Sequence, residues 1–189
     1  MDTFYVDERL YEGRTEEKSG EMSKQKAVYS LLEKLDIPFF RADHEHADTI
    51  PECEKIEAVL GAPICKNLFL RNRQGTEFYL LLMPGDKNFR TATVSKLLGV
   101  ARLSFAEPEL LEKYLGLTPG SVTVLGLACE NAGGVHLLID REVAEGEYIC
   151  CHPCLNTSTV KIKTKDIFEK FLPYTGHSAL ILDIPRENA

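Results

Sequence analysis

Short apolar runs alternate with amphipathic stretches through most of this chain, and a glycine, proline or capping residue marks nearly every junction. Ala27, Leu31, Leu32 and Leu35 recur at spacings of three and four, which predicts an amphipathic helix from Met22 to Leu35. Ser23 is placed to cap it, and Asp36 with Pro38 ends it. Pro38 to His44 reads as a short strand. Thr49, with Glu52 three residues on, has the capping-box pattern. A second helix therefore runs through Ile56 and Val59 to Leu60, with Gly61 as its C′ residue. His44 and His46 fall in the polar loop between, where histidines are ordinarily solvated.

The run Cys65-Lys66-Asn67-Leu68-Phe69-Leu70-Arg71 leads through Arg73-Gln74-Gly75 into Phe78 to Met83. Two such runs are neighbouring central strands, where a charge must be paired or reach an open cleft. Lys66 either snorkels to solvent or is placed to meet an anion, and the pattern alone leaves both open. Pro84 to Lys87 is a turn, and Thr91 to Leu98 a short helix with Val94, Leu97 and Leu98 inward and Gly99 as cap. Leu103 to Ala106 is a brief strand. Glu107 to Leu115 is a helix with Pro108 in its first turn and Gly116 beyond its end. The Leu117 to Val122 turn opens into the apolar run Val122 to Leu127, and the Asn131 to Gly134 loop into the strand Val135 to Ile139. Tyr148 to Cys151 is apolar, and Ser158 to Lys163 alternates as a half-buried strand should. Thr164 caps a helix through Ile167, Phe168 and Phe171, and Ser178 to Leu182 is the last strand. About seven strands interleaved with five helices make a single α/β, or mixed α+β, domain. It spans residues 22–184, with an extension at 1–21 strapped on by Tyr5, Leu10 and Tyr11, and a tail at 185–189.

A chain of 189 residues suits one domain with a real core. No apolar run approaches the ~20 residues of a membrane span, and the acidic start lacks signal-peptide character, so a cytoplasmic location is expected. The net charge of -7 argues against a surface that binds duplex DNA, though not against a local basic patch. Six cysteines without a secretory signal read as reduced thiols. Cys150, Cys151, His152 and Cys154 gather metal-ligand types, but Cys53, Cys65 and Cys129 stand singly, without the second pair a structural zinc site uses. Neither a metal nor another cofactor is expected.

Standard hydrolase, phosphate-loop, zinc-helix and dinucleotide signatures are absent. Three polar or glycine-rich spots remain: Lys66-Asn67, Thr118-Pro119-Gly120-Ser121, and the stretch from His152 to Thr157. Glycine turns expose N–H groups that hold a carboxyl, a phosphate or a developing oxyanion. A lysine adds a compact positive charge, and histidine and asparagine add oriented hydrogen bonds. The three spots are either ordinary turns or one site for a small, partly anionic ligand.

Their order carries a resemblance. Lys66-Asn67-Leu68-Phe69-Leu70, Leu103 to Ala106, Gly116 to Val122, and His152-Pro153 followed by Asn156 to Val160 resemble the YbaK/ProX family, over roughly residues 24 to 184. These are freestanding relatives of the editing domain of bacterial prolyl-tRNA synthetase. The resemblance implies a central mixed, largely antiparallel sheet with flanking helices. It also implies hydrolysis, by water, of the ester joining a wrong amino acid to the 3′ end of tRNA(Pro), most closely in the manner of the branch that clears alanine. Lys66 would then meet the terminal adenosine, with Asn67 steadying it. Gly120, Ser121 and Val122 would shape the amino-acid pocket and offer N–H groups to the oxyanion. His152 would line the pocket, backed by Asn156 and Thr157. The partners implied are the acceptor end of tRNA(Pro) and prolyl-tRNA synthetase. One departure stands out: the family often has a proline four residues after the turn glycine, where this chain has Val124. That leaves as alternatives a Cys-tRNA(Pro) deacylase and a module that binds without turnover. Cys151 or Cys154 beside His152 could form a nucleophile or be inert buried thiols.

Overall fold

The computed structural model describes residues 4–14 and 23–186. Mixed helices and strands with antiparallel and mixed sheets match the expected fold class, but the strands are divided between two sheets. One is antiparallel throughout, in the order β1 (Tyr11–Glu12), β2 (Phe39–Asp43), β8 (Ser158–Lys163), β7 (Tyr148–Cys151). The other runs β5 (Ser104–Phe105), β3 (Cys65–Arg71), β4 (Phe78–Pro84), β6 (Val135–Asp140), β9 (Ala179–Leu182). Its β5, β3 and β4 are antiparallel, whereas β4, β6 and β9 are parallel. A lone bridge between Ile64 and Cys150 is where the sheets touch.

The main core lies between the sheets. Phe69, Leu80 and Leu82 meet Phe39, Val160 and Ile162 there, together with Tyr29 and Leu32 of α1 (Ser23–Lys34) and Leu115 of α4 (Pro108–Leu115). On the far face of the five-stranded sheet, Leu70, Leu81 and Met83 pack against Val94 of α3 (Thr91–Leu98). Helix α2 (Ile50–Leu60) lays Ile56 and Leu60 on Ala42 and Cys150 of the other sheet. Because β4 is buried on both faces, it reads as an unbroken apolar run. No helix among the described residues is long and apolar enough to cross a membrane.

Several expectations need correction. The apolar run Val122 to Leu127 folds largely into a 3-10 helix, Val124–Ala128, capped by Thr123. Val124 to Leu127 are buried, and periodicity cannot separate such a run from a strand. Leu97 points outward, 44% exposed. The arm is held by Tyr11, paired with Arg41, and by a bridge from Val6 to His44, while Tyr5 and Leu10 are exposed. The arm residues Ser19 and Gly20 lie outside the described residues, as does Met22. Lys163, not Thr164, stands at the N-cap of the last helical stretch. Helix α5 (Arg141–Ala144) precedes β7, and from Lys163 the chain runs through α6 (Thr164–Asp166), a π turn at Ile167–Phe171 and α7 (Leu172–Thr175). Here Leu172 donates to the Ile167 carbonyl, just ahead of Pro173, whose ring has no N–H to offer a regular turn.

Candidate active site

Beside the bridge that joins the sheets, a cleft of about 530 Å³ opens. Its walls are the start of β3, the turn after β4, the first turns of α2, the Gly120 turn and the end of β7. Lys66, Asn67, Gly120, Val122 and His152 all line it. The motifs that are far apart in sequence therefore share one cavity.

Lys66 is half-buried, and its Nζ donates to the Lys87 carbonyl at 2.8 Å. Among the described residues no carboxylate pairs with it. An ammonium has three donors, so two remain for a ligand. Asn67 is held at both ends of its amide: Nδ2 donates to the Cys65 carbonyl at 3.0 Å, and Oδ1 accepts the Val124 N–H at 3.1 Å. The residue that departs from the family's proline thus supplies an N–H that a proline would lack. Thr123 is extended (φ -152, ψ 151) and Val124 is the first helical residue, so the backbone suits either residue at that place.

His152 presents a neutral imidazole. Nδ1 lies 3.0 Å from the Ser158 carbonyl and must donate to it, which leaves the lone pair on Nε2. Burial pulls its pKa down to about 4, against the partial opposition of that carbonyl. His44 is a correction to the loop reading, since it is buried rather than solvated. The chain continues past β2 to pair with Val6 and with the Thr157 carbonyl (3.0 Å), which turns the ring inward. His44 Nδ1 donates to the Glu45 carbonyl at 2.6 Å, so Nε2 accepts from the Thr159 hydroxyl at 2.9 Å. Its ring centroid is 6.0 Å from that of His152. His46 is exposed and sits 3.2 Å from Asp48, as its loop position implies.

The glycine turn has a physical basis. Ser121 donates its N–H to the Thr118 carbonyl at 3.1 Å, and Gly120, at φ +84, occupies the position of a type II turn that calls for glycine. A Cβ on Gly120 would also stand 3.4 Å from the His46 ring. The Ser121 hydroxyl bonds back to the Thr118 carbonyl at 2.8 Å and does not line the cleft. Asn156 lies behind the wall, clamping the backbone of Ala47 through its amide (2.8 and 3.3 Å). Thr157 is exposed and contributes its carbonyl to His44.

Sequence reasoning missed the α2 wall. Asp48, Ile50, Cys53 and Glu54 line the cleft there, and Ile50 is 71% exposed. The capping box was the available signal: Glu52 accepts the N–H groups of Asp48 and Thr49, each at 2.8 Å, and Gly61 closes the helix in the left-handed region. The cysteines divide by strand alternation. Cys150 faces the α2 cluster, and Cys151 and Cys154 face the main core. Burial pushes the Cys154 and Cys65 thiols up to about 12 and raises those of Cys150 and Cys151 as well, so all four stay protonated and unreactive. Among the described residues, no three potential metal ligands gather at one point.

A cation, a neutral imidazole and a tight glycine turn thus meet around one cavity. The chain is a member of the aminoacyl-tRNA editing domain family, whose profile matches residues 44–170, and within it of the YbaK/ProX group. It is 30% identical over 164 residues to the prolyl-tRNA editing protein ProX of Acetoanaerobium sticklandii, covering 87% of this chain and 99% of that one. It is 31% identical over 160 residues to prolyl-tRNA synthetase associated domain-containing protein 1 of Danio rerio, covering 84% and 86%. Among solved structures, a candidate trans-editing enzyme for prolyl tRNA synthetase superposes with a TM-score of 0.64 at 18% identity, over 89% of this chain and 100% of that one, a likeness of fold.

Proposed function

We propose that this protein is a trans-editing deacylase that hydrolyses the ester of mischarged tRNA(Pro), with Ala-tRNA(Pro) as its substrate. The observation that carries the reading is the pairing, in one cleft, of a Lys66 ammonium with two open donors and a His152 imidazole held neutral. The names of the relatives above point to the same substrate class.

On this reading Lys66 meets the phosphate or ribose oxygens of the terminal adenosine, and Asn67 keeps the adjoining strand and 3-10 helix in register around them. The aminoacyl group lies between the Gly120 turn and Val122, where exposed N–H groups face the developing oxyanion. Nε2 of His152 accepts a hydrogen bond from the attacking water. Water adds to the ester carbonyl, the bond to the ribose oxygen breaks, and that oxygen leaves with a proton, giving free amino acid and tRNA(Pro). An aminoacyl ester is already activated, so orientation and charge stabilisation supply much of the rate. The acidic side chains of Asp48, Glu54 and Asp86 on the cleft suit the α-ammonium of any aminoacyl ester. Alanine and proline differ in volume, and exclusion of the larger group by a clash is the sieve that a pocket performs well.

Residues 22–184 would be the editing domain, acting in the cytoplasm on product released by prolyl-tRNA synthetase. A single-stranded acceptor end needs few contacts, which agrees with the acidic balance of the chain. Incubating the protein with Ala-, Cys- and Pro-tRNA(Pro) tests the proposal. Rapid loss of the alanyl ester with the prolyl ester spared is the expected result. Faster loss of the cysteinyl ester reassigns the substrate, and binding with no ester lost from any of the three overturns the reading.

A further inference from the structure

We infer that Lys87, which lies outside the cleft, is a positioning residue for Lys66. The inference rests on the proposed role of Lys66. Lys87 follows the turn after β4, a place where lysines ordinarily reach solvent, yet its side chain is 2% exposed. A buried ammonium is tolerated only when its donors are satisfied. All three are: Nζ lies 2.8 Å from Asp140 Oδ2, 2.8 Å from Glu142 Oε1 and 2.7 Å from the Ile184 carbonyl. Burial pulls the Lys87 pKa down, and the hydrogen bonds to Asp140 and Glu142 outweigh it and leave the group charged.

Those three partners come from the end of β6, the first turn of α5 and the stretch after β9. Asp140 itself is held, since its other oxygen caps α5 by accepting the Glu142 N–H at 3.0 Å. The next residue back is pinned as well: Asp86, on the cleft wall, pairs with Arg186 at 2.8 Å, and Arg186 reaches Glu142 at 2.6 Å. The Asp86-Lys87 backbone is therefore fixed from both side chains. The one polar contact between that backbone and the cleft cation is the Lys87 carbonyl, which accepts from Lys66 Nζ. So Lys87 works through its main chain. Its side chain anchors the turn, and the anchored carbonyl sets where the Lys66 ammonium stands.

Lys87→Met alone would leave Asp140 buried and uncompensated. The test therefore uses Lys87→Met/Asp140→Asn, which removes both charges and keeps a residue able to cap α5. With the melt confirming a folded protein, kcat/KM on Ala-tRNA(Pro) is expected to fall by about 10- to 100-fold, the scale of a misplaced catalytic group. In a Lys66→Ala background the same pair should lower it by less than about twofold, because the two effects share one route. Independently of activity, acetylation of Lys66, followed by mass spectrometry, should quicken by about fivefold on loss of the carbonyl bond. The exposed Lys165 serves as the internal control. Unchanged Lys66 labelling overturns the inference, as does an equal fall in both backgrounds. Should the pair not fold, Glu142→Gln removes one of the three contacts and must show the same changes in smaller degree; no change in Lys66 labelling there overturns the inference too. Wild-type protein without deacylase activity, but with labelling that responds, would fault the proposed reaction and leave the positioning role standing.

Discussion

The two sides of the cleft are built on opposite principles. The β3 side carries a charge, and behind it stands a buried ion pair: Lys66 leans on the Lys87 carbonyl, and Lys87 on buried Asp140, on the exposed Glu142 and on the Ile184 carbonyl. The β7–β8 side is kept uncharged. Its imidazoles are neutral, its thiols are protonated, and Ser158, Thr159 and Glu45 hold the ring nitrogens other than Nε2 of His152, which faces the cleft. A ligand with an anionic end and an ester end needs that difference. On the proposed reading, full charge on both sides would hold a phosphate equally well at the wrong end.

Breaking the charged side should have the largest effect. Lys66→Ala is expected to lower kcat/KM for Ala-tRNA(Pro) by about 10²- to 10³-fold while the thermal melt stays close to wild type, since Lys66 is half-buried at the rim. Single-turnover kinetics with calorimetry checks both halves. Next comes protonation of the neutral side. The His152 pKa falls from 6.5 when unfolded to about 4 when folded, so the unfolded chain takes up the proton first. Stability is complete above about pH 6.5 and drains away as pH drops towards 4, by roughly 3 kcal/mol at most. Melting temperatures across pH 4 to 7 should show this slope, and His152→Gln should flatten it.

Gly120→Ala, between the two sides, meets a left-handed backbone and the His46 ring. A loss of about 1–2 kcal/mol is expected by denaturant unfolding. The smallest effect belongs to Val124→Pro. The backbone accepts proline there, so the melt should barely move, but Asn67 Oδ1 loses its N–H. A change of about fivefold in kcat/KM corresponds to one such bond. A large fall in melting temperature would show that Val124 holds the fold rather than tuning the cleft.

Much of this arrangement could be read from the chain. Strong local signals placed α2, β3, β4, β8 and α4, because capping residues, unbroken apolar runs and strict alternation each act within a few residues. The ordered motifs pointed to five side chains that do share the cleft. What escaped depends on contacts far apart in sequence. Ser121, Asn156 and Thr157 have the right chemistry, but their groups face Thr118, Ala47 and His44. His44 sits in a polar stretch and is buried only because Val6 and Thr157 pair on either side of it. The two sheets are linked by the bridge between Ile64 and Cys150, which no pattern announces. Lys87 reads as an ordinary turn lysine until three distant segments close over it.

That closure has a consequence for synthesis of the chain. A ribosome delivers Lys66 and Lys87 early, and Asp140, Glu142 and Ile184 only after most of the domain has emerged. Until the last of them leaves the exit tunnel, the Lys87 ammonium lacks partners and the turn that holds Lys66 has no anchor. Assembly of the cleft therefore waits for the last strand of the domain and the stretch after it. On the proposed reading, a growing chain cannot engage a tRNA end in this way before the domain is complete.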